Sequence, residues 1–440
     1  MRSEYERALF FMNPWLAEPA LKQERISTYL AKPWIERTAD TSAWEIRDRI
    51  HLVVGPRQAG KTSLVWHYLS TNDSDCLYFN AEDPLVQAWC SSPALFLDDI
   101  ANFINPGGTL FFDEVQHLEE AGLFLKGLVD YRKGYRYIAT GSASYHLHAR
   151  TRESLAGRAT RFTLYPLSLK ELSLQYANLR PGVAAKKQQE IINRMLLIGS
   201  FPGVWSAKEP QTVLGWLLDA FIMRDASDLF NISRHDAFRR LISLIAGQIG
   251  QLVNFSEWAS ICGISSPTVA QYVSILEDAH VISLLPAYAG GKRKEITSRK
   301  KAYFLDNGLR NTVFGGFQPF VERADKGPLL ENWVYTEIRK AFRPLGPETV
   351  YYWRSSAKAE VDFVLSGRNR LEGIEVKASA LGYPSLSRSS RSFISAYKPR
   401  RFTIVNLEYQ GKQTVAETPV YWIRPGDLPA HLQNQDTTQL

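Results

Sequence analysis

The order of apolar and polar segments in this 440-residue chain predicts an α/β fold whose core is a parallel sheet. Between about residues 50 and 164, short apolar segments alternate with segments of helical character. A glycine-rich loop follows the first apolar segment, and a pair of acidic residues ends the third. Strands that are separated by helices pair in parallel, and their carboxyl ends share one edge of the sheet. We therefore expect a three-layer α/β domain with a ligand site at that edge.

Five segments are predicted to be strands because each is short and mainly apolar and is bounded by turn-forming residues. They are Ile50–Val54, Cys76–Asn80, Leu110–Asp113, Arg136–Thr140 and Arg161–Leu164. Polar residues end or follow three of these strands: the glycine-rich loop, the acidic pair, and the run of Thr140, Gly141 and Ser142. In a parallel sheet these three groups would lie close together.

The glycine-rich loop spans residues 55–62 and has the spacing G-x-x-x-x-G-K-T. Its glycines let backbone N–H groups close around phosphates, and the helix that follows adds a partial positive charge. Lys61 is expected to contact the β- and γ-phosphates, and the Thr62 hydroxyl is expected to bind Mg²⁺. The predicted ligands are ATP and Mg²⁺, and the predicted nucleotide-binding residues are Gly55, Pro56, Arg57, Gln58, Ala59, Gly60, Lys61, Thr62 and Ser63.

The acidic pair, Asp113 and Glu114, ends the predicted strand that begins near Leu110. Asp113 is expected to help hold Mg²⁺, and Glu114 is expected to polarise the water that attacks the terminal phosphate. Catalysis of this kind depends on positioning and charge stabilisation rather than on a covalent intermediate. A glutamate directly after the aspartate favours ATP hydrolysis over nucleotide binding alone.

The composition of the chain indicates which class of protein it belongs to and in which cellular compartment it is expected. The net charge is +7, and the chain contains only 3 cysteines, which lack the spacing of metal ligands. No charged-then-apolar leader opens the chain, and no uninterrupted apolar run is long enough to cross a bilayer. We therefore expect a globular cytoplasmic protein with no membrane partner.

The pattern of predicted helices and strands divides the chain into five regions. Residues 1–165 hold N-terminal helices and the phosphate-loop core, 166–234 a helical lid, 235–315 a winged helix, 316–425 a second α/β domain, and 426–440 a polar tail. The loop of the winged helix is strongly basic and would contact phosphate backbones of DNA. Its predicted DNA-binding residues are Lys292, Arg293, Lys294, Arg299, Lys300 and Lys301.

The second α/β domain contains a further constellation of charged residues: Glu331, Asp362, Glu375 and Lys377. Glu375 and Lys377 are two positions apart on a predicted strand, so they face the same side. Two carboxylates and a lysine can position a metal-bound water against a phosphodiester. Alternatively, the same residues form a buried cluster of salt bridges, since structural ion pairs imitate active sites.

Several short motifs together resemble those of prokaryotic AAA-type ATPases that carry a C-terminal domain of unknown function. The resemblance covers nearly the whole chain. Its landmarks are Gly55–Thr62, Phe111–Gln116, Thr140–Ser142, Leu155–Arg158, Tyr165–Ser168, Pro202–Gly203, Arg224–Asp225, Tyr303–Leu309 and Leu329–Asn332. The C-terminal region resembles the PD-(D/E)xK restriction-endonuclease fold, with Val361 standing where that pattern has proline.

The resemblance implies further roles. Ser142 would be the polar sensor of the γ-phosphate, at a position that is more often asparagine. Arg158, or as a second choice Arg152, would be an arginine finger that acts on a neighbouring subunit, and Arg224 would be a second sensor. A finger acting in trans implies a homo-oligomer, such as a hexameric ring.

The function expected from the sequence is an ATP-hydrolysing motor or switch that acts on DNA, for example in unwinding or branch migration. Two rival functions remain. One is an ATP-gated DNA nuclease that uses Asp362 and Glu375. The other is a signalling or scaffold ATPase whose helical and winged regions bind protein.

Overall fold

The structure is a computed structural model, and the chain divides into two compact units, Met1–Pro166 and Leu167–Leu440. It describes all residues except 1, 31–33, 73–74, 142–154, 222–231, 233, 291–298, 342–349, 368–369, 380–381 and 434–440. Across the described part of the chain, no helix is long and apolar enough to cross a membrane.

The first unit is built around a five-stranded sheet. Its strands are β1 (Ile50–Val54), β2 (Cys76–Asn80), β3 (Thr109–Asp113), β4 (Arg136–Gly141) and β5 (Ala159–Thr163). The order across the sheet is β2-β3-β4-β1-β5, and every pairing is parallel. The predicted parallel sheet is confirmed. β1 and β3 are buried at every position because both faces of the sheet are covered.

The helices of the first unit are α1 (Arg2–Met12), α2 (Leu21–Tyr29), α3 (Lys61–Thr71), α4 (Pro84–Trp89), α5 (Pro93–Ile100) and α6 (Ala121–Asp130). Helix α3 follows the glycine-rich loop and is anchored by Trp66, which is fully buried. The Trp66 ring stacks on Tyr29 with centroids 5.3 Å apart and meets the edge of Phe111 at 5.8 Å. This packing fixes the start of α3 against the sheet.

The second unit begins with helices. They are α7 (Leu169–Leu174), α8 (Pro181–Ile198), α9 (Pro202–Ser206), α10 (Pro210–Ala220), α11 (His235–Gly247), α12 (Phe255–Cys262) and α13 (Ser266–Asp278). An antiparallel pair follows, β6 (Ile282–Leu285) and β7 (Lys301–Phe304). Helices α11 to α13 and this hairpin fall within residues 235–315, the region predicted as a winged helix, and that assignment stays a prediction.

The rest of the second unit forms a mixed six-stranded sheet with the order β12-β13-β11-β10-β9-β8. Its strands are β8 (Val350–Arg354), β9 (Glu360–Gly367), β10 (Arg370–Lys377), β11 (Arg401–Asn406), β12 (Gly411–Val415) and β13 (Thr418–Ile423). Its helices are α14 (Asn307–Phe314), α15 (Lys326–Ala341), α16 (Arg388–Tyr397) and α17 (Leu428–Gln433). Sequence reasoning missed β12 because its sequence, GKQTV, lacks an apolar alternation and its middle residues are exposed.

Residues 426–440 are predicted to be a polar, loose tail, and this prediction is wrong for part of the segment. Helix α17 occupies Leu428–Gln433, and Leu428 and Leu432 are buried. Helices α17 and α15 pack against each other, so burial of two leucines offsets the polar composition that suggested a loose end. The predicted boundaries between lid, winged helix and second α/β domain stay predictions.

Candidate functional site

The glycine-rich loop leaves the carboxyl end of β1 and turns directly into α3. Gly55 has no room for a side chain, because a Cβ there would lie 2.1 Å from the carbonyl oxygen of Leu164. Gly60 is the residue before α3 and has a left-handed backbone with φ of 91°. Since Gly60 offers no side-chain acceptor, the N–H groups of the first turn can bind an anion.

Lys61 is folded back over this loop. Its side chain is buried, and its ammonium donates hydrogen bonds to the carbonyl oxygens of Gly55 at 3.2 Å and Pro56 at 3.0 Å. The charge therefore lies inside the curve of the loop, where phosphate oxygens are expected. Arg57, Gln58, Ala59, Thr62 and Ser63 complete the loop and the start of α3.

Asp113 is the centre of a hydrogen-bonded group at the carboxyl edge of the sheet. Its Oδ1 accepts a hydrogen bond from Thr62 Oγ1 at 2.9 Å and another from the Thr140 hydroxyl. Its Oδ2 accepts from the Tyr78 hydroxyl at 3.3 Å. Burial, together with the negative charge of Glu114, raises the pKa of Asp113 to about 6, while the bonds from Thr140 and Thr62 oppose this shift.

This arrangement fits Mg²⁺, which prefers hard oxygen ligands and uses few protein groups. The Thr62 hydroxyl and the Asp113 carboxylate are such oxygens, and they contact each other directly. The structure thus brings together the two residues that the sequence predicts as metal ligands. The phosphate loop and the acidic pair share one edge of the sheet.

Glu114 has an unusual backbone, with φ of 56°. A non-glycine residue in this left-handed region costs about 1–2 kcal/mol. Its N–H donates to Thr140 Oγ1 at 3.1 Å, and its Oε2 accepts from Gln116 Nε2 at 2.5 Å. The carboxylate is partly buried and has a fixed orientation next to Asp113.

Sequence reasoning assigned no role to several residues that order this site: Arg37, Tyr78, Gln116 and Thr140. Thr140 lies within a motif recognised at a strand end, so the sequence could have predicted that its hydroxyl is near the acidic pair. Arg37 gave no local signal. Its guanidinium donates hydrogen bonds to the carbonyl oxygens of Ala59 at 2.9 Å and Tyr165 at 2.6 Å. These bonds connect the phosphate loop to the segment that directly follows β5.

Arg158 lies at the opposite edge of the sheet from the phosphate loop. Its carbonyl oxygen accepts from the N–H of Ile50, the first residue of β1. Its partly exposed side chain donates from Nε to Asp130 Oδ1 at 2.6 Å. Arg158 is thus at the amino edge of the sheet, whereas its own chain's phosphate loop is at the carboxyl edge. Ser142, Arg152 and Arg224 lie outside the described residues.

The second unit brings the other predicted constellation together. Asp362 lies on β9, Glu375 and Lys377 lie on β10, and Glu331 lies on α15. The Lys377 ammonium contacts Glu375 Oε1 at 2.5 Å. In the part of the chain that the structure describes, no group of three or more His, Cys, Asp or Glu side chains is arranged to hold a metal ion.

Each of these carboxylates has a donor from the protein. Asp362 Oδ2 accepts from the N–H of Val376 at 2.7 Å. Glu375 Oε2 accepts from Ser387 Oγ at 3.1 Å and from the Ser390 hydroxyl. Burial and the nearby charge of Glu331 raise the pKa of Asp362, and the positive charge of Lys301 opposes that rise.

The prediction that Lys301 contacts DNA is wrong. Its side chain is only 3% exposed, and its ammonium contacts Glu360 Oε1 at 2.5 Å and Glu331 Oε1 at 3.6 Å. A basic run suggested a solvated surface, but Lys301 is the first residue of β7 and its side chain points inward. Arg299 and Lys300 are exposed. Lys292, Arg293 and Lys294 lie outside the described residues.

Comparison with protein families divides the chain into three matched regions. Residues 47–173 match the sequence model of an AAA domain. Residues 189–319 match a domain of unknown function, DUF8612, and residues 326–423 match another, DUF4143.

Relatives occur in bacteria and archaea. An uncharacterized protein of Mycobacterium tuberculosis is 28% identical over 364 residues, which are 82% of this chain and 76% of the relative. An uncharacterized protein of Methanocaldococcus jannaschii is 26% identical over 376 residues, which are 82% of each chain.

Matches to solved structures include the replication initiator DnaA bound to AMPPCP and single-stranded DNA, at 16% identity and a TM-score of 0.25. That match covers 57% of this chain and 92% of DnaA. The RuvB Holliday junction branch migration motor of Thermotoga maritima matches at 15% identity and a TM-score of 0.23, over 61% of this chain and 89% of RuvB. Scores this low carry no argument about function. The sequence match to an AAA domain spans residues 47–173, and the observed five-stranded parallel sheet lies within these residues.

Proposed function

We propose that this protein binds ATP with Mg²⁺ at the phosphate loop and hydrolyses it. The observation that carries the proposal is the contact between the Thr62 hydroxyl and the Asp113 carboxylate at 2.9 Å. It joins the start of α3, where phosphates bind, to the strand end that bears the acidic pair. A merely structural loop would not need hard oxygen ligands next to an anion-binding helix end.

Each residue of the site then has a distinct task. Lys61 exchanges its hydrogen bonds to the loop carbonyls for bonds to the β- and γ-phosphates. Thr62 and Asp113 would hold Mg²⁺, which neutralises phosphate charge when it is bound. Glu114 orients the attacking water and accepts its proton. Gln116 holds the Glu114 carboxylate in place through its 2.5 Å hydrogen bond.

Arg158 supplies positive charge to a neighbouring subunit. Its place at the amino edge of the sheet keeps it away from the phosphate loop of its own chain, so a role in catalysis needs a second copy of the chain. This favours a homo-oligomer, for which a hexameric ring is the proposed form. To act in this way, Arg158 must release its ion pair with Asp130.

We further propose that hydrolysis drives a motor or switch on DNA. The support is chemical: the net charge is +7, and the exposed Arg299 and Lys300 adjoin a strongly basic segment. Such contacts with phosphates are independent of base sequence and weaken with salt. Lys301 is not among them.

The test is ATP turnover of the full chain with Mg²⁺, measured without DNA and with single-stranded, duplex, forked and junction DNA. The proposal expects hydrolysis that needs Lys61 and is stimulated by at least one DNA structure. Lys61→Ala removes a phosphate contact and serves as the inactive control. If none of these DNA structures changes the rate of ATP turnover, and if the chain binds no DNA at low salt, a scaffold ATPase that binds protein is favoured.

A further inference from the structure

The carboxylate cluster of the second unit comprises Glu331, Glu360, Asp362 and Glu375, which come from α15, β9 and β10. It has no part in the proposed hydrolysis of ATP. Two acidic residues and a lysine on neighbouring strands would suit a metal-bound water. The chemistry of the cluster depends on which cation lies among these carboxylates.

Lys377, which is 42% exposed, pairs with Glu375. The buried cation among the other three carboxylates is the side chain of Lys301. It comes from β7, an element outside the six-stranded sheet, and it is one of the few lysines that the structure buries. Its ammonium lies 2.5 Å from Glu360 Oε1 and 3.6 Å from Glu331 Oε1, and it is close enough to Asp362 for a direct electrostatic attraction. The Tyr352 ring lies beside it, with its centroid 5.5 Å from Nζ.

Two further donors contact the carboxylates of the cluster. Glu331 Oε1 accepts from the Tyr303 hydroxyl at 2.6 Å, and Glu360 Oε2 contacts Arg354 at 3.2 Å. A divalent ion entering the cluster would meet a buried ammonium at short range and would have to displace these donors. Repulsion between like charges in a poorly solvated site opposes such entry.

We propose that Lys301 is a built-in cation that takes the place of a divalent metal in this cluster and keeps the C-terminal region from cutting phosphodiesters. The cluster then serves to attach β7, at the end of the basic segment, to the six-stranded sheet through Glu360 on β9 and to helix α15 through Glu331. The C-terminal region is thus an ion-paired platform rather than a nuclease.

The test compares the wild-type chain with Lys301→Met, which removes the ammonium but keeps a long side chain. Thermal unfolding is measured in chelator and then in millimolar MnCl₂, without nucleotide. In chelator, Lys301→Met should unfold at a lower temperature, because the partly buried carboxylates lose their counter-ion. MnCl₂ should raise its Tm by several degrees by binding the folded state, whereas the wild type should show no such rise.

Two controls separate this effect from general destabilisation. Lys300→Met changes the adjacent, exposed lysine and should behave like the wild type in both buffers. The double variant Lys301→Met with Asp362→Asn should lose the rise in Tm caused by MnCl₂. Lys301→Met with Glu331→Gln restores the charge balance without metal and should recover much of the Tm in chelator.

Results on chains that keep Lys301 can overturn the proposal, even if Lys301→Met does not fold. Binding of Mn²⁺ that Asp362→Asn abolishes would show that Lys301 leaves the metal position open. Cutting of plasmid DNA with MnCl₂ that Asp362→Ala abolishes would show an active nuclease. A Lys301→Met chain that folds but gains no stability from Mn²⁺ would also contradict the proposal.

Discussion

Asp113 and Asp362 both lie on strands beside a second carboxylate, yet the structure surrounds them differently. The hydrogen-bond donors to the Asp113 carboxylate are uncharged hydroxyls, from Thr62, Thr140 and Tyr78. The Asp362 cluster contains the buried ammonium of Lys301. In the proposed functions, the first site takes up a divalent cation from solution, whereas the second has the Lys301 ammonium in its place. Acidic residues on a strand therefore predict a charged site, but only their neighbours determine whether a metal binds.

The largest expected effect is on ATP turnover, and it is tested by changing one glutamate in each site. Glu114→Gln keeps the size of the side chain but loses the proton acceptor, so ATP should still bind while turnover falls roughly a thousandfold. Glu375→Gln in the other cluster should leave turnover near the wild-type rate. Steady-state ATP hydrolysis and nucleotide binding are measured for both variants. Equal rates for Glu114→Gln and wild type would remove Glu114 from the role of water activation.

In the proposed homo-oligomer, Arg158 would extend the first site to a second subunit. Arg158→Ala should lower turnover about a hundredfold, since it removes one charge that stabilises the transition state. Mixing Arg158→Ala chains with Lys61→Ala chains should restore part of the activity, because some interfaces then combine an intact phosphate loop with an intact Arg158. Asp130→Asn removes the observed ion pair and should retain activity. A fully active monomer would exclude this role.

The raised pKa of Asp113 should make the proposed Mg²⁺-dependent binding of ATP sensitive to pH. With a pKa of about 6, the carboxylate is mostly ionised at pH 7.5 and mostly protonated at pH 5. Since only the ionised form binds a cation, affinity should fall about tenfold between these values. The terminal phosphate of ATP titrates in the same range, so Asp113→Asn is the control. Its affinity should be lower at pH 7.5 and should vary less with pH.

The smallest effect concerns the basic segment beside β7. Lys300→Ala should weaken every DNA ligand by a similar small factor and lower the slope of log affinity against log salt by about one. Lys186→Ala removes an exposed lysine from α8 and serves as the matched control. Binding at several salt concentrations provides the slopes. If both variants give the wild-type slope, the contact with DNA lies elsewhere.

Much of the first unit follows from local sequence. The strands of the parallel sheet were predicted within two residues of their observed ends, because continuous apolar runs between helices leave few alternatives. The meeting of Thr62 with Asp113 also follows, since parallel strands bring their carboxyl ends to one edge. The bond from Arg37 to the loop carbonyl of Ala59 could not be predicted, because no local pattern connects these residues.

The sequence by itself determined the phosphate loop, the acidic pair and the parallel sheet, since each depends on residue spacing and on burial of adjacent apolar residues. Only the tertiary structure decided the role of Lys301. In the sequence it belongs to a run of basic residues that predicts contacts with the phosphate backbone of DNA. In the fold it is buried among carboxylates from α15 and β9. Charge compensation acts through space rather than along the chain, so the partner of a buried charge is set by how the elements pack.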